Sequence, residues 1–128
     1  MPKYMHPDAL DRGLEEIRDN ANELHIITSF TQGDNYATVL GRSVCTISVT
    51  AADLVIGAQG TLNRQITVAS KSGVASLGSP PAPDLHLALL DTATSRVLAV
   101  GDESSDQQII SGNPIQTPVW YIISSQPV

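Results

Sequence analysis

The stretch Leu85–Gly101, LHLALLDTATSRVLAVG, decides the fold. Side chains of an extended chain point alternately to opposite sides. Leu85, Leu87 and Leu89 therefore share one face, and His86, Ala88 and Leu90 the other. Asp91 to Ser95 is a polar turn whose Asp, Thr and Ser side chains can satisfy turn backbone groups. Arg96 opens the return strand, where it can pair with Asp91 across the turn mouth. Val97 and Ala99 then oppose Leu98 and Val100. The segment reads as a β-hairpin with apolar residues on both faces. That predicts a central place in a sandwich, or one face set against another subunit.

Working outward, strand and turn signals continue in both directions. Downstream, the acidic loop DESSDQQ (102–108) runs on to Ile110, SGNP (111–114) is a turn, and VWYIIS (119–124) is a last strand carrying the only tryptophan. Upstream, GSPPAPD (78–84) is a stiff connector, since adjacent prolines favour an extended chain and cannot serve a central strand. RQITVAS (64–70), DLVIGAQG (53–60), SVCTISV (43–49) and ELHIITS (23–29) read as strands, with a bend or bulge at Gly57. Lys71-Ser72-Gly73 is a tight turn. FTQGDNYATVLG (30–41) reads as a loop around Gly33-Asp34-Asn35.

Only the beginning departs from this pattern. Leu10, Leu14, Ile17, Ala21 and Leu24 recur at spacings of four and three, which is one stripe on a helix. Asp8 is the expected N-cap, and the helix is predicted over 8–20, with Gly13 weakening it. Residues 1–7, with Pro2 and Pro7, read as an arm preceding a single β-rich domain over 8–128. The predicted class is mainly β: an antiparallel β-sandwich or partly open barrel preceded by one short N-terminal α-helix.

Composition narrows the function. The chain has 128 residues, 41% of them hydrophobic, only 16% charged and 4% aromatic, so aliphatic side chains must build the core. Its net charge is −6 and its seven basic residues are scattered, which excludes the basic footprint of direct nucleic-acid binding. Apolar runs fall far short of the roughly 18 residues of a membrane helix, and MPKYMHPD carries no secretory apolar run. Synthesis and folding in a cytoplasm fit these features. Cys45, alone in VCTISV, reads as a small buried hydrophobe.

Chemical signatures are sparse. No nucleophile elbow, phosphate loop, Cys-x-x-Cys or His-x-x-x-His occurs. His6, His25 and His86 lie far apart and read as structural or surface residues. Asp102, Glu103 and Asp106 form the densest carboxylate group, without EF-hand spacing, and read as a solvated turn. Asp91 and Ser95 read as turn residues. No catalytic residue, cofactor or metal is expected, and the chain reads as not an enzyme. Four residues stand out as candidate partner-binding positions. Tyr4 and Met5 could anchor the arm on a neighbour, while Trp120 and Tyr121 could anchor a partner or line a sugar site.

Two blocks resemble a family of small tailed-bacteriophage virion proteins, usually encoded near the major capsid protein. HPDALDRGLEEIRDNANELHIITSF (6–30) is similar to the family's opening helix, strand and Thr/Ser-rich loop. LHLALLDTATSRVLAVGD with SGNPIQTPVWYI (85–102 and 111–122) is similar to its hairpin, Ser-Gly-Asn turn and closing strand. Together they span about half of the chain. Leu87 stands where the family commonly has an aromatic, and 78–84 looks like an insertion. The resemblance implies a structural virion protein, with a capsid decoration or cement protein as the first reading. Its partner would be the major capsid protein, on the capsid exterior. It would act as a homo-oligomer, a trimer suiting three-fold positions and a dimer also allowed. A head–tail joining or tail component, or a carbohydrate-binding β-sandwich module, are the alternatives.

Overall fold

The predicted hairpin forms as β6 (His86–Asp91) and β7 (Arg96–Asp102), paired antiparallel. The computed structural model describes residues 3–103 and 106–127. The hairpin turn is closed by Asp91. Its carboxylate accepts the Thr94 hydroxyl at 2.6 Å, the Arg96 guanidinium at 2.9 Å and the Ala93 amide at 3.0 Å. Those donors hold the Asp91 carboxyl below the usual carboxylate range, the Thr94 hydroxyl acting most strongly and Arg96 next.

Two further strands extend this hairpin. β1 (Glu23–Ile27) pairs with β6 on one side and with β2 (Ser43–Ser48) on the other. The result is a four-stranded antiparallel sheet in the order β2-β1-β6-β7. A second antiparallel sheet is built from β3 (Leu54–Gln59), β4 (Asn63–Val68) and β9 (Trp120–Ser124), in that order. A short 3-10 turn, Ala51–Asp53, leads into β3. The two sheets face each other without closing into a barrel. Leu24, Ile26, Leu87 and Leu89 from one meet Leu54, Ile66 and Val68 from the other in one continuous core. The fold is thus the mainly β, sandwich-like class that the alternation predicts.

Helix α1 (Pro7–Asn20) adds Leu14 and Ile17 to that core. Asp11 on α1 grips Arg64 of β4 at 2.7 Å. The helix starts one residue before the predicted Asp8. His6 is the N-cap and accepts the Asp8 amide on Nδ1 at 3.1 Å. Pro7 then occupies the first turn, where its missing N–H leaves nothing unsatisfied. The predicted arm is shortened accordingly, and its residues 1 and 2 lie outside the described residues.

Three other expectations are corrected. The stretch 30–41 is not all loop: its end forms helix α2 (Tyr36–Gly41), capped by Asn35, whose Oδ1 accepts the Thr38 amide at 2.9 Å. A helix this short carries no readable periodicity and depends on packing for its stability. That packing comes from the far face of the four-stranded sheet, where Val39 of α2 joins Ile27, Ala88 and Leu90 in a second cluster. The hairpin is therefore apolar on both faces because its own chain covers both. The tight turn expected at 71–73 is strand instead: β5 (Ser72–Val74) pairs in a small ribbon with β8 (Pro114–Gln116), which follows the expected turn at 111–114. Gly73 lets the ribbon lie on β2, because a Cβ there would meet Ile47 Cγ1 at 2.7 Å. Finally, β3 and β4 stay in register through Gly57. The bulges fall elsewhere, at Ile26/Ile27 and at Leu89/Leu90.

The second bulge changes the reading of β7. Pairs run Leu90↔Val97 and then Leu89↔Ala99, so Leu98 is an extra residue on β7. Leu98 and Ala99 both turn toward the main core, and Val97 and Val100 share the opposite face. The simple alternation expected for 97–100 does not hold.

Candidate functional site

The outer face of the β3-β4-β9 sheet exposes three large apolar side chains, Val55, Tyr121 and Ile123. Register places Val55, Thr67 and Tyr121 in one row and Gly57, Gln65 and Ile123 in the next. Alternation sends Leu54, Ile66 and Val68 into the core and turns their neighbours outward. Val55 is 60% exposed, Tyr121 55% and Ile123 50%. Neither row contains a charged side chain, and β3 and β9 leave two open edges. Exposed Leu62 follows β3, and exposed Val119 precedes β9.

Among the four candidate residues, Tyr121 belongs to this face. Trp120 does not. It is half-buried against the main core, its Nε1 buried with no hydrogen-bond partner among the described residues. Consecutive strand residues point to opposite sides, so Trp120 and Tyr121 cannot line one sugar site. Tyr4 and Met5 are exposed, yet Met5 is fastened to its own chain. Its amide donates to Gln126 Oε1 at 2.7 Å, and its carbonyl accepts Gln126 Nε2 at 2.9 Å. Gln126 also bonds the Leu62 carbonyl at 2.8 Å, and its own amide donates to Asn63 Oδ1 at 3.0 Å. The end of the arm is thus tied to the β3–β4 turn of the same sheet. Val55 and Ile123 were missed as candidates, although Leu54-Val55-Ile56 and Ile122-Ile123 are unbroken apolar runs, the signal of a strand with two apolar faces.

Other polar groups are engaged in structure. His25 is buried on the far face of the four-stranded sheet. Its Nδ1 meets Ser43 Oγ at 2.7 Å, and its Nε2 meets Glu23 Oε1 at 2.9 Å. A hydroxyl, imidazole and carboxylate in that order have the form of a nucleophile relay. Here the imidazole is 1% exposed, so the network's role is to satisfy a buried ring inside the sheet. Cys45 is buried, and burial pushes its thiol up, away from the reactive thiolate. The loop before α2 is held by Arg42, which bonds Asp34 at 2.6 Å. The Thr31 amide, followed by Arg42, holds the Asp34 carboxyl below its usual range.

A cleft of about 430 Å³ opens between the core face of the four-stranded sheet and the chain after β7. Ile26, Leu87, Ile109 and Ile115 give it apolar walls, and Gln107 and Gln116 lie at its polar side. The acidic group expected at 102–106 is dispersed. Asp106, still exposed, accepts the Leu85 amide at 2.8 Å, while Asp102 stands beside His86. Ser104 and Ser105 of that loop lie outside the described residues. No described helix is long and apolar enough to cross a membrane. No protein-family model, curated protein or solved structure matches the chain.

Proposed function

We propose that the protein is a structural component of a tailed-bacteriophage virion, a capsid decoration or cement protein that binds between major capsid subunits. The observation that carries this reading is the uncharged apolar face formed by Val55, Thr67, Tyr121 and Ile123. Apolar area removed from water contributes about 25 cal/mol per Å², before the costs of association. A chain of net charge −6 repels acidic neighbours. A face without charge is where such a chain meets another surface at least electrostatic cost. The resemblance in 6–30 and 85–122 supplies the viral context. Assembly as a closed homo-oligomer, a trimer at three-fold positions, fits the same face. The protein is made in the host cytoplasm and sits on the shell exterior, without catalytic activity and without touching nucleic acid. A head–tail or tail position uses the same face and differs only in the partner.

The test is co-sedimentation with shells assembled from the major capsid protein encoded in the same genome, followed by imaging of the decorated shell. Wild-type protein should saturate the shells. Tyr121→Glu with Ile123→Lys, both exposed and compatible with the fold, should lower occupancy at least about tenfold, a loss of roughly 1.4 kcal/mol. Shells left bare by wild-type protein would refute the cement reading. Full occupancy by the double variant would remove this face from it.

A further inference from the structure

We propose that Asp84, His86 and Asp102 form a binding site for a divalent transition-metal ion such as Zn²⁺. One ligand atom from each of the three lies within 4.8 Å of the other two. The site sits on the far face of the four-stranded sheet, at the open end of the β6–β7 hairpin, away from the exposed face of the other sheet.

The ring of His86 is prepared for this role. Its Nδ1 lies 2.9 Å from the Asp84 backbone carbonyl, which can only accept, so Nδ1 carries the proton. In the neutral ring Nε2 then carries the lone pair, the form that binds a cation. A backbone carbonyl on the other ring nitrogen is the partner that orients metal-binding histidines. The ring is largely buried, and Phe30 packs against it at 6.0 Å between centroids. On the open side, Nε2 faces Asp102 Oδ1 at 3.7 Å, too long for a hydrogen bond. A lone pair and a carboxylate facing each other both call for a positive centre. Two ligands about 2.0–2.1 Å from a tetrahedral ion stand roughly 3.3 Å apart, so this gap needs to close by only about 0.4 Å. Asp84 Oδ1 stands 3.9 Å from Nδ1, on the other side of the ring, so its carboxylate must swing to reach an ion on Nε2. Asp84 and Asp102 are both well exposed and can move without disturbing the core. Water completes the coordination.

The β-bulge makes this arrangement possible. The pairs at the turn, Asp91↔Arg96 and Leu90↔Val97, continued without a break, would set His86 opposite Gly101. The extra residue on β7 moves Asp102 there instead. An imidazole with two carboxylates suits Zn²⁺ and its transition-metal neighbours better than Ca²⁺, which takes oxygen ligands. A bound ion would staple the end of the proline-rich connector, through Asp84, to the end of β7.

The test is calorimetric titration of chelator-treated full-length protein with ZnCl₂, and separately with CaCl₂. One equivalent of Zn²⁺ should bind and raise the unfolding midpoint, with no response to Ca²⁺ at the same concentrations. His86→Ala and Asp102→Asn should each weaken Zn²⁺ binding more than tenfold, with the circular dichroism spectrum retained. His6→Ala, which removes an imidazole beside Asp8, should leave it unchanged. No Zn²⁺ binding below 1 mM (on the order of the weakest extracellular sites), full affinity in His86→Ala, or an equal response to Ca²⁺ would each overturn the site. Should a variant fail to fold, imidazole nitrogen shifts of the wild-type protein decide. Zn²⁺ must move Nε2 of His86, and an unmoved His86 signal defeats the proposal.

Discussion

Gly101→Ala tests how the two sheets meet. A Cβ at residue 101 would stand 2.7 Å from both Cε3 and Cζ3 of Trp120. Ordinary carbon contacts are about 3.5–4.0 Å, so the indole must retreat by roughly 0.8 Å or more. Two effects compete. Gly→Ala stabilises by about 0.4–1 kcal/mol through the unfolded chain, and overpacking costs about 1–3 kcal/mol. The indole is a rigid ring packed on the core, so overpacking should win, by about 0.5–2 kcal/mol net. For a chain of this length that is roughly 2–8 °C in Tm. Gly57→Ala is the matched control, because a Cβ there meets nothing within 4 Å. It should leave Tm unchanged or raise it. Thermal unfolding followed by circular dichroism gives both values. The emission of the single tryptophan reports the indole's displacement in Gly101→Ala. A second cycle adds Trp120→Phe, whose smaller ring should recover about 0.5 kcal/mol or more of the Gly101→Ala loss. If Gly101→Ala melts with Gly57→Ala and keeps the wild-type emission, Trp120 does not fill the space beside β7, and this account of sheet closure is refuted.

Leu90→Ala should cost about 2–5 kcal/mol, because Leu90 is fully buried beneath α2. Val55→Ala, on the exposed face, should stay within about 0.5 kcal/mol in the same urea titration, and equal losses would contradict the layering. Asp91→Asn should be less stable than wild type at neutral pH. The depressed Asp91 carboxyl contributes stability that is complete above its unfolded value, about 3.9, and is lost as pH falls through its lower folded value. The gap between variant and wild type should therefore shrink below about pH 4, and a gap constant with pH would exclude the ionised turn. Gln126→Ala should free the chain before α1, since it removes both contacts to Met5. Faster proteolytic trimming near Tyr4 at unchanged Tm is expected, and an unaltered cleavage rate would show that Gln126 does not hold the segment.

Much of this architecture is local and could be read directly. The Leu10–Leu14–Ile17 stripe, the Leu85–Leu87–Leu89 alternation and the Asp91 turn each express a repeat or a side-chain bond within a few residues. The helix α2 could not be read that way, since six residues hold too little periodicity and its stability comes from Ile27, Ala88 and Leu90. The candidate face was half legible. Tyr121 is an outward strand residue, but only the partnering of β9 with β4, and of β4 with β3, sets it beside Val55.

The sequence alone therefore determined a chain of antiparallel strands after one helix, because alternation and helical spacing are properties of neighbouring residues. The tertiary structure decided which face of each strand is covered. It turned Trp120 inward and Tyr121 outward, and laid α2 over the back of the hairpin. It also brought Asp84, His86 and Asp102 together. That last outcome depends on a single extra residue at Leu98, and a shift of one residue exchanges the two faces of a strand. The position of such a bulge follows from how the paired strands pack, which no local pattern in either strand records.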